Sequence, residues 1–350
     1  MTIFRNTTYL PGLKLLVFIL VCSGILFSKI SLAQDIHFSQ YNATSLYTNP
    51  ANTGIFSENF RFANDYRNQW SKLGTPFNTY YSSLDTKLTM FNQNFGIGGF
   101  LVHDQVAVYG LTTDEFKISL SYMMFYHNHQ FIVGIQPGES FKSFNSDVIT
   151  FGSQFDDVDN VFNTALASNE SGLSGNASYF DMNIGIGWRT LINNIMPSAG
   201  FSVSHVLKPE VTFSSVSVSS RLARRFNFNS QVFIPLTSKF DVVPGMLFSS
   251  VSGSNELLLG GTSGYKPDDF FESVKRLYVT SMVRSNLFSN FDALILGGGA
   301  KFSTFDLGIT YDLNISQLHH VSNFRGAFEI SIVYTGKEEK FKLNSPCHIY

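Results

Sequence analysis

Apolar and polar residues alternate along most of the chain beyond about residue 60. The stretch FDMNIGIGWR at 180–189 places Phe, Met, Ile, Ile and Trp on one face and Asp, Asn, Gly, Gly and Arg on the other. The segments 116–124, 225–234 and 305–314 repeat this alternation. Such a period of two indicates β-strands with one apolar and one polar face, because successive side chains of a strand point to opposite sides.

Turn-forming residues divide this pattern into fourteen predicted strands. The strands are 60–68, 78–89, 94–104, 110–126, 129–141, 179–190, 197–206, 219–235, 238–250, 255–264, 275–285, 291–302, 304–314 and 325–335. An even number of antiparallel strands leaves both ends of the chain on one side. The connections 127–129, 191–196, 236–238 and 303–304 are short and share that side, whereas the longest, 142–178, lies opposite. The connection 265–274 is long for the side on which it falls.

Composition turns this strand pattern into a membrane prediction. Only 14% of the residues are charged and 15% are aromatic, whereas about a quarter of an average soluble domain is charged. Beyond residue 33 no apolar run reaches the roughly 18 residues of a transmembrane helix. The sequence therefore predicts an all-β fold over residues 60–335, a transmembrane antiparallel β-barrel of about 14 strands.

The polar face of the predicted strands carries charges that a small sandwich could not bury but a polar barrel interior accepts. The predicted lumen-facing polar residues are Lys117, Asp181, Arg189, Arg225, Asp306, Asp312 and Glu329. The glycine clusters at 96–99 and 297–299 lie within strand patterns, where glycine marks a bend or close packing and not a phosphate-binding loop.

Residues 1–33 have the features of an export signal. Arg5 and Lys14 precede an apolar run at 15–27, and the small residues of Ser31-Leu32-Ala33 form a cleavage site. Lipidation at Cys22 is disfavoured because the apolar run continues past this cysteine. We expect export to the outer membrane. The 26 acidic residues exceed the 24 basic ones, and nothing indicates nucleic-acid binding.

Residues 34–59 precede the first strand and combine turn-forming steps with aromatic side chains. Barrel parity places them on the periplasmic side. The segment either folds into the lumen as a plug or stays at the periplasmic rim as a docking surface. The predicted interaction or plug residues, which include part of the first strand, are His37, Phe38, Ser39, Gln40, Tyr41, Tyr47, Asn49, Pro50, Tyr66, Arg67, Asn68, Gln69 and Trp70.

Three patterns in the sequence could indicate a site of chemistry. His127-Asn128-His129 has the spacing of two metal ligands but lies in a predicted tight turn without a third ligand. The acids of the 142–178 loop do not match a calcium-binding loop. A barrel hydrolase would pair a serine with His103, His205 or His319 near the outer strand ends. We expect no catalytic site, no cofactor and no metal.

Several motifs resemble a known family of outer-membrane proteins. HFSQYNATSLYTNPANTG and DYRNQWSKLGTPFNTYYSSLD near the N-terminus, FDMNIGIGWRTLINNIMPSAGFSVSHVLKPE at 180–210, YDLNISQL at 311–318, RGAFEISIVY at 325–334 and Pro346-Cys347 are similar to the PorP/SprF family of Bacteroidetes. The C-terminal tail, residues 336–350, departs from the family because it carries Glu338 and Glu339 and ends His348-Ile349-Tyr350.

The resemblance implies a barrel similar to fatty-acid transporters that works without catalysis in the type IX secretion system. The implied partners are a peptidoglycan-binding periplasmic lipoprotein, the ring proteins, a secreted surface protein such as a gliding adhesin, and outer-membrane lipid. We expect a non-enzymatic component that supports secretion or surface anchoring. Two alternatives remain, a channel for small hydrophobic molecules, which the charged lumen disfavours, and an outer-membrane hydrolase.

Overall fold

The computed structural model describes residues 35–70, 76–106, 110–144, 150, 152–156, 159–163, 165–166, 175–213, 220–267, 273–286, 291–317 and 319–336. The chain divides into two units, Met1–Asp35 and Ile36–Tyr350, and the barrel belongs to the second. The predicted export signal and nearly all of the predicted tail lie outside the described residues.

Fourteen antiparallel strands form a closed barrel in which each strand pairs with its neighbours along the chain and the last pairs with the first. The strands are β1 (Phe60–Gln69), β2 (Phe77–Met90), β3 (Gln93–Val106), β4 (Leu111–Tyr126), β5 (His129–Ser143), β6 (Asn176–Thr190), β7 (Met196–Ser204), β8 (Arg225–Pro235), β9 (Phe240–Val251), β10 (Ser254–Tyr265), β11 (Val274–Ser285), β12 (Phe291–Phe302), β13 (Phe305–Asn314) and β14 (Arg325–Thr335).

The two faces of each strand differ as the sequence pattern predicts. On β1, Arg61, Asp65 and Arg67 are buried inside the barrel, whereas Phe60 and Phe62 are exposed on its outer surface. The same alternation on the other strands gives an apolar exterior and a polar interior. This arrangement matches a barrel surrounded by lipid, because the apolar face then meets acyl chains and the charges remain inside.

The barrel has a turn end and a loop end. Short connections at 91–92, 127–128, 191–195, 236–239 and 303–304 define the turn end. The first strand begins at this end, with Phe60, and the last strand finishes there, with Thr335. At the loop end, the long connections carry small hairpins, Phe155–Asp156 with Val161–Phe162 and Glu210–Val211 with Ser220–Arg221, and a short helix, His319–Ser322. Outer-membrane barrels place their short turns in the periplasm.

The predicted strands match the observed ones closely, with two exceptions around one connection. The strand predicted at 197–206 ends at Ser204, because His205 has a left-handed φ of 56° and turns the chain. The strand predicted at 219–235 begins only at Arg225, because Ser220 and Arg221 pair with Glu210 and Val211 in a hairpin outside the barrel. The first bound therefore differs from the prediction by two residues, at Ser204, and the second by six residues, at Arg225.

Within the described part of the chain, no helix is both long and apolar enough to cross a membrane. At the two ends of the connection predicted at 265–274, Tyr265 is the last residue of β10 and Val274 is the first residue of β11.

Candidate functional site

The lumen segment, residues Ile36–Phe56, lies inside the barrel and folds into two short turns of helix. Ser45–Thr48 forms one α-helical turn and Pro50–Asn52 one 3₁₀ turn. Asn49 joins the two turns, since its side-chain Oδ1 accepts a hydrogen bond from the backbone N–H of Ala51 at 2.9 Å. Pro50 then occupies the first helical position, where its missing N–H costs nothing. The turn-rich sequence thus folds as compact local structure.

Apolar side chains of the lumen segment pack against two parts of the wall. Phe38 contacts Tyr47 edge-on at 5.4 Å and Tyr81 of β2 at 5.8 Å between ring centroids. On another side, Tyr41 belongs to a buried cluster with Leu247 of β9, Leu258 of β10, Met282 of β11 and Ile295 of β12. Burial raises the pKa of Tyr41 to about 12. These contacts give the segment an apolar core that it shares with the barrel.

A polar anchor holds the start of the lumen segment to β13 and β14. The carboxylate of Glu329 accepts hydrogen bonds from the backbone N–H of Ser39 at 2.9 Å and of Gln40 at 2.6 Å. The hydroxyl of Ser39 donates to Asp312 at 2.8 Å. Arg67 of β1 donates hydrogen bonds to both carboxylates, to Glu329 at 2.8 Å and to Asp312 at 2.9 Å. Arg284 of β11 donates a third to Asp312 at 2.8 Å.

Every side chain of this anchor is buried, with Arg67 2% and Glu329 0% exposed. Buried charges are tolerated only where they are paired and hydrogen-bonded, and removing one partner is strongly destabilising. His37 lies beside the anchor, where burial and the charges of Arg284 and Arg67 hold its pKa well below the usual value of histidine. The anchor therefore joins the segment to four strands, β1, β11, β13 and β14.

Glycines in the wall leave room for the lumen segment. A Cβ atom placed on Gly134 of β5 would lie 2.5 Å from the backbone nitrogen of Ala51, and one on Gly185 of β6 would collide with the Asn49 side chain. The other wall glycines whose added Cβ would meet the segment too closely are Gly96, Gly200, Gly245 and Gly308. Glycine at these positions permits close backbone approach, because any larger side chain would occupy the same space.

The remaining strands also contact the lumen segment. The Asn49 amide donates to the carbonyl of Ile186, Thr53 and Ser119 share a hydroxyl hydrogen bond of 2.6 Å, and the backbone N–H of Gly54 donates to Asp85 at 2.7 Å. Through hydrogen bonds and shared apolar clusters, the segment reaches all fourteen strands. The segment therefore extends across the lumen from wall to wall.

On the turn-end side of the lumen segment lies a cavity of about 670 Å³, which we call the vestibule. Its lining includes Asn42 of the segment together with Arg189, Met196, Phe233 and Arg276 of the wall. Arg276 donates to Asp241 at 2.6 Å, and Arg189 donates to Gln130. The vestibule thus presents a mixed surface of apolar and already bonded polar groups.

The other predicted lumen residues lie at inward positions of their strands. Lys117 and His205 are both hydrogen-bonded to the carboxylate of Asp181, and Nδ1 of His205 lies 2.8 Å from it. Arg225 donates to the carbonyl of Ile36 in the lumen segment at 3.0 Å, and Asp306 accepts from Tyr278 at 2.8 Å. These residues therefore form separate bonded groups around the wall.

The first strand divides its predicted interaction residues between the two faces of the barrel. Arg67 points inward, whereas Tyr66 and Asn68 point outward and both donate to the side-chain oxygen of Asn78, at 3.1 Å and 2.6 Å. Gln69 ends the strand, and Trp70 follows with a left-handed φ of 58° and packs edge-on against Phe77. Only Arg67 of this group joins the lumen segment.

The side chains considered for chemistry have ordinary structural partners. Trp188 donates to Nδ1 of His129 at 3.3 Å. His103 pairs with Asp114 at 2.6 Å on the outer surface, and His319 lies 2.7 Å from the carbonyl oxygen of Ser316. Among the residues that the structure describes, no group of three or more His, Cys, Asp or Glu side chains could hold a metal ion. Asp147, Asp157 and Glu170 of the 142–178 loop lie outside them.

Sequence reasoning missed several residues that hold the lumen segment. Arg284 is one, because its strand pattern alone does not indicate which partner it meets across the barrel. The wall glycines are another group, and their positions in the sequence do indicate that a segment packs closely against the wall. Gly134, Gly185, Gly200 and Gly245 all lie on the polar face of their strands, where an inserted segment requires space.

A closed antiparallel barrel with an apolar exterior, a charged interior and a segment folded into its lumen is a transmembrane β-barrel of the outer-membrane type. A family model described as "Type IX secretion system membrane protein PorP/SprF" matches residues 30–334. The chain belongs to this family. No curated protein matches it.

Solved structures similar to this chain are outer-membrane barrels of low sequence identity. The toluene transporter TbuX of Ralstonia pickettii is 9% identical, with 85% of this chain and 94% of that chain covered and a TM-score of 0.49. The toluene transporter TodX of Pseudomonas putida is 11% identical, with coverage of 87% and 95% and a TM-score of 0.46. The translocator domain of the autotransporter NalP from Neisseria meningitidis is 9% identical, with coverage of 93% and 99% and a TM-score of 0.38.

Proposed function

We propose that this chain is a closed, non-catalytic outer-membrane component of the type IX secretion system that acts by binding other proteins. The observation that carries the proposal is the lumen segment, which reaches all fourteen strands through hydrogen bonds and shared apolar clusters and is hydrogen-bonded to the buried, ion-paired carboxylates of Glu329 and Asp312. In this role the barrel supports the secretion or surface anchoring of a partner protein, such as a gliding adhesin.

Conduction of small hydrophobic molecules would need an apolar path through the barrel. The lumen instead holds Arg67, Asp312, Glu329, Lys117 and Asp181, each at most 2% exposed. Moving an apolar solute past such groups would break charged hydrogen bonds worth about 1.5–3 kcal/mol each. A buried, charged interior therefore supports a structural role for the barrel.

The turn end is the side on which we place the partners of the secretion machine. The short turns of outer-membrane barrels face the periplasm, and the vestibule and the underside of the lumen segment open there. Leu236, 60% exposed in the turn between β8 and β9, marks this surface. The expected partners are the peptidoglycan-binding lipoprotein and the ring proteins of the periplasm, together with one secreted surface protein.

Affinity purification of the tagged full chain from outer membranes tests the proposal. We expect co-purification of type IX secretion components, with less recovery from Leu236→Asp. Leu207→Asp is the matched control, since Leu207 is 52% exposed at the loop end, and it should leave recovery unchanged. Recovery of neither a type IX component nor a surface protein would refute the proposal.

A further inference from the structure

One sector of the outer surface carries polar side chains where a barrel normally presents apolar ones. We call it the polar sector and define it by the outward-facing residues Asn64, Tyr66, Asn68, Asn78, Tyr80, Ser82, His103, Asp114 and Glu139, which lie on β1–β5. By contrast, the outward positions in the middle of β11, on the opposite side, are Leu277, Val279, Ser281 and Val283.

Asn64 and Tyr66 of the polar sector lie at the depth of the acyl chains. A strand tilted by about 40° rises about 2.5 Å per residue along the membrane normal, so an apolar band about 25 Å tall spans about ten residues. Phe60, Tyr334 and Phe305 form an aromatic group at the turn end and mark the lower edge of the band. Counted from Phe60, Asn64 lies near the middle of the band and Tyr66 in its upper half.

Six side chains of the polar sector are connected to one another, namely those of Asn68, Asn78, Tyr66, Tyr80, His103 and Asp114. The rings of Tyr66 and Tyr80 lie 4.9 Å apart and those of Tyr80 and His103 6.1 Å apart. Nδ1 of His103 lies 2.6 Å from Asp114, and both side chains are about half exposed, at 45% and 53%. On the neighbouring strand, the outward Glu139 pairs with Phe116 in the strand register. The polar sector thus carries two acids and one histidine, and the histidine is paired with Asp114.

The polar sector also contains a recess of about 560 Å³. Asn64 and Ser82 are among its smaller lining residues, and Leu101, Phe116, Phe141 and Ile332 are among its large apolar ones. These four apolar side chains are between 42% and 54% exposed. A barrel exterior is convex, so a recess of this size is a place where a large protruding side chain can insert.

We propose that the polar sector binds the lipid-facing wall of a different membrane protein. That protein would insert an apolar side chain into the recess and place Lys or Arg side chains opposite Asp114 and Glu139. Charge complementarity carries this choice of partner. In a symmetric pair of this chain, the same acidic patch would face itself, and like charges in contact disfavour the complex. Acyl chains would leave Asn64 without a polar partner, which costs free energy in lipid.

Site-specific photo-crosslinking in cells tests this proposal. A photoreactive amino acid replaces Leu101 or Phe116 in the recess wall, and Val279 on β11, which is 63% exposed, is the control position. We expect both recess positions to give one protein adduct of defined mass and Val279 to give none. The cross-linked peptide should come from an integral membrane protein and carry Lys or Arg near the linked residue.

Two variants connect the adduct to the geometry. Ser82→Phe fills the recess, and the double variant Asp114→Asn with Glu139→Gln removes both charges. Each should lower the yield of adduct about tenfold, the ratio that corresponds to about 1.4 kcal/mol. Heat-modifiable mobility on gels confirms that each variant barrel is folded.

Three outcomes would overturn the proposal. An adduct with the mass of two copies would assign the sector to self-association. Adducts with lipid alone would assign it to the bilayer. Equal adducts at Val279 would show that the contact is not specific to the sector. None of these outcomes concerns the periplasmic partners of the turn end, so none of them tests the proposed function.

Discussion

Replacing Glu329 by Gln should release the lumen segment from the barrel wall. The Glu329 carboxylate is fully buried and accepts hydrogen bonds from the backbone N–H groups of Ser39 and Gln40 and from Arg67. Glutamine has almost the same shape but only one acceptor oxygen. Its NH₂ group would therefore face an N–H donor, while Arg67 would keep its bond to Asp312.

The magnitude follows from the number and kind of bonds lost. A hydrogen bond to a charged group contributes about 1.5–3 kcal/mol. The substitution removes the charge from three such bonds and leaves at least one buried donor without an acceptor, although Arg67 remains paired. We expect docking of the segment to weaken by about 3 kcal/mol. At about 1.4 kcal/mol per factor of ten, the undocked population rises about a hundredfold.

Thiol labelling measures that population. Thr44 is fully buried, and within the described structure its hydroxyl has no hydrogen-bond partner, so Thr44→Cys is a mild reporter in a background that carries Cys347→Ser. Labelling of the folded barrel should be about a hundredfold faster with Glu329→Gln. Asp306→Asn is the matched control, because Asp306 bonds Tyr278 of the wall. Equal labelling rates for Glu329→Gln and the unsubstituted reporter would refute the role of the anchor.

Three further predictions concern the same segment. Gly185→Ala should undock it by collision with Asn49, whereas Gly187→Ala, whose Cβ would lie at an ordinary 3.4 Å from Ala51, should not, and reporter labelling compares the two. Phe38→Ala should weaken docking by about 3–5 kcal/mol, the usual cost of deleting a buried phenylalanine, and accelerate labelling accordingly; an unchanged rate would contradict its packing role. His37 has a lowered pKa when docked, so the undocked segment takes up a proton first as the pH falls below about 6.5. Docking should therefore be strongest above that pH and weaken below it, and His37→Gln should remove this dependence from labelling rates corrected for thiol ionisation.

The barrel strands were predictable because their signal is local. Each strand carries its own period of two, and the pattern sets both its extent and its inward face. The strand predicted at 219–235 begins six residues later, at Arg225, because Ser220 and Arg221 pair with Val211 and Glu210 in a hairpin outside the barrel. Whether such a segment joins the barrel or a separate hairpin depends on its pairing partner, and the sequence of one strand does not identify that partner.

The place of the lumen segment was not predictable from its own residues. Turn chemistry at Asn49-Pro50 and the aromatic side chains fit both a plug and a docking surface at the rim. The distinction depends on contacts between distant residues, such as Ser39 with Glu329, and these depend on the register in which the barrel closes. Glycines on the polar face, such as Gly134 and Gly185, were the available sign that something approaches the wall closely.

Electrical recording in planar bilayers tests the central proposal, that the lumen segment closes the barrel, most directly. The purified full chain is compared with a variant that lacks residues 36–52 and retains the heat-modifiable mobility of a folded barrel. We expect the full chain to be closed and the variant to form open, ion-conducting pores. Equal conductance of the two proteins would contradict the account, whether both were closed or both were open.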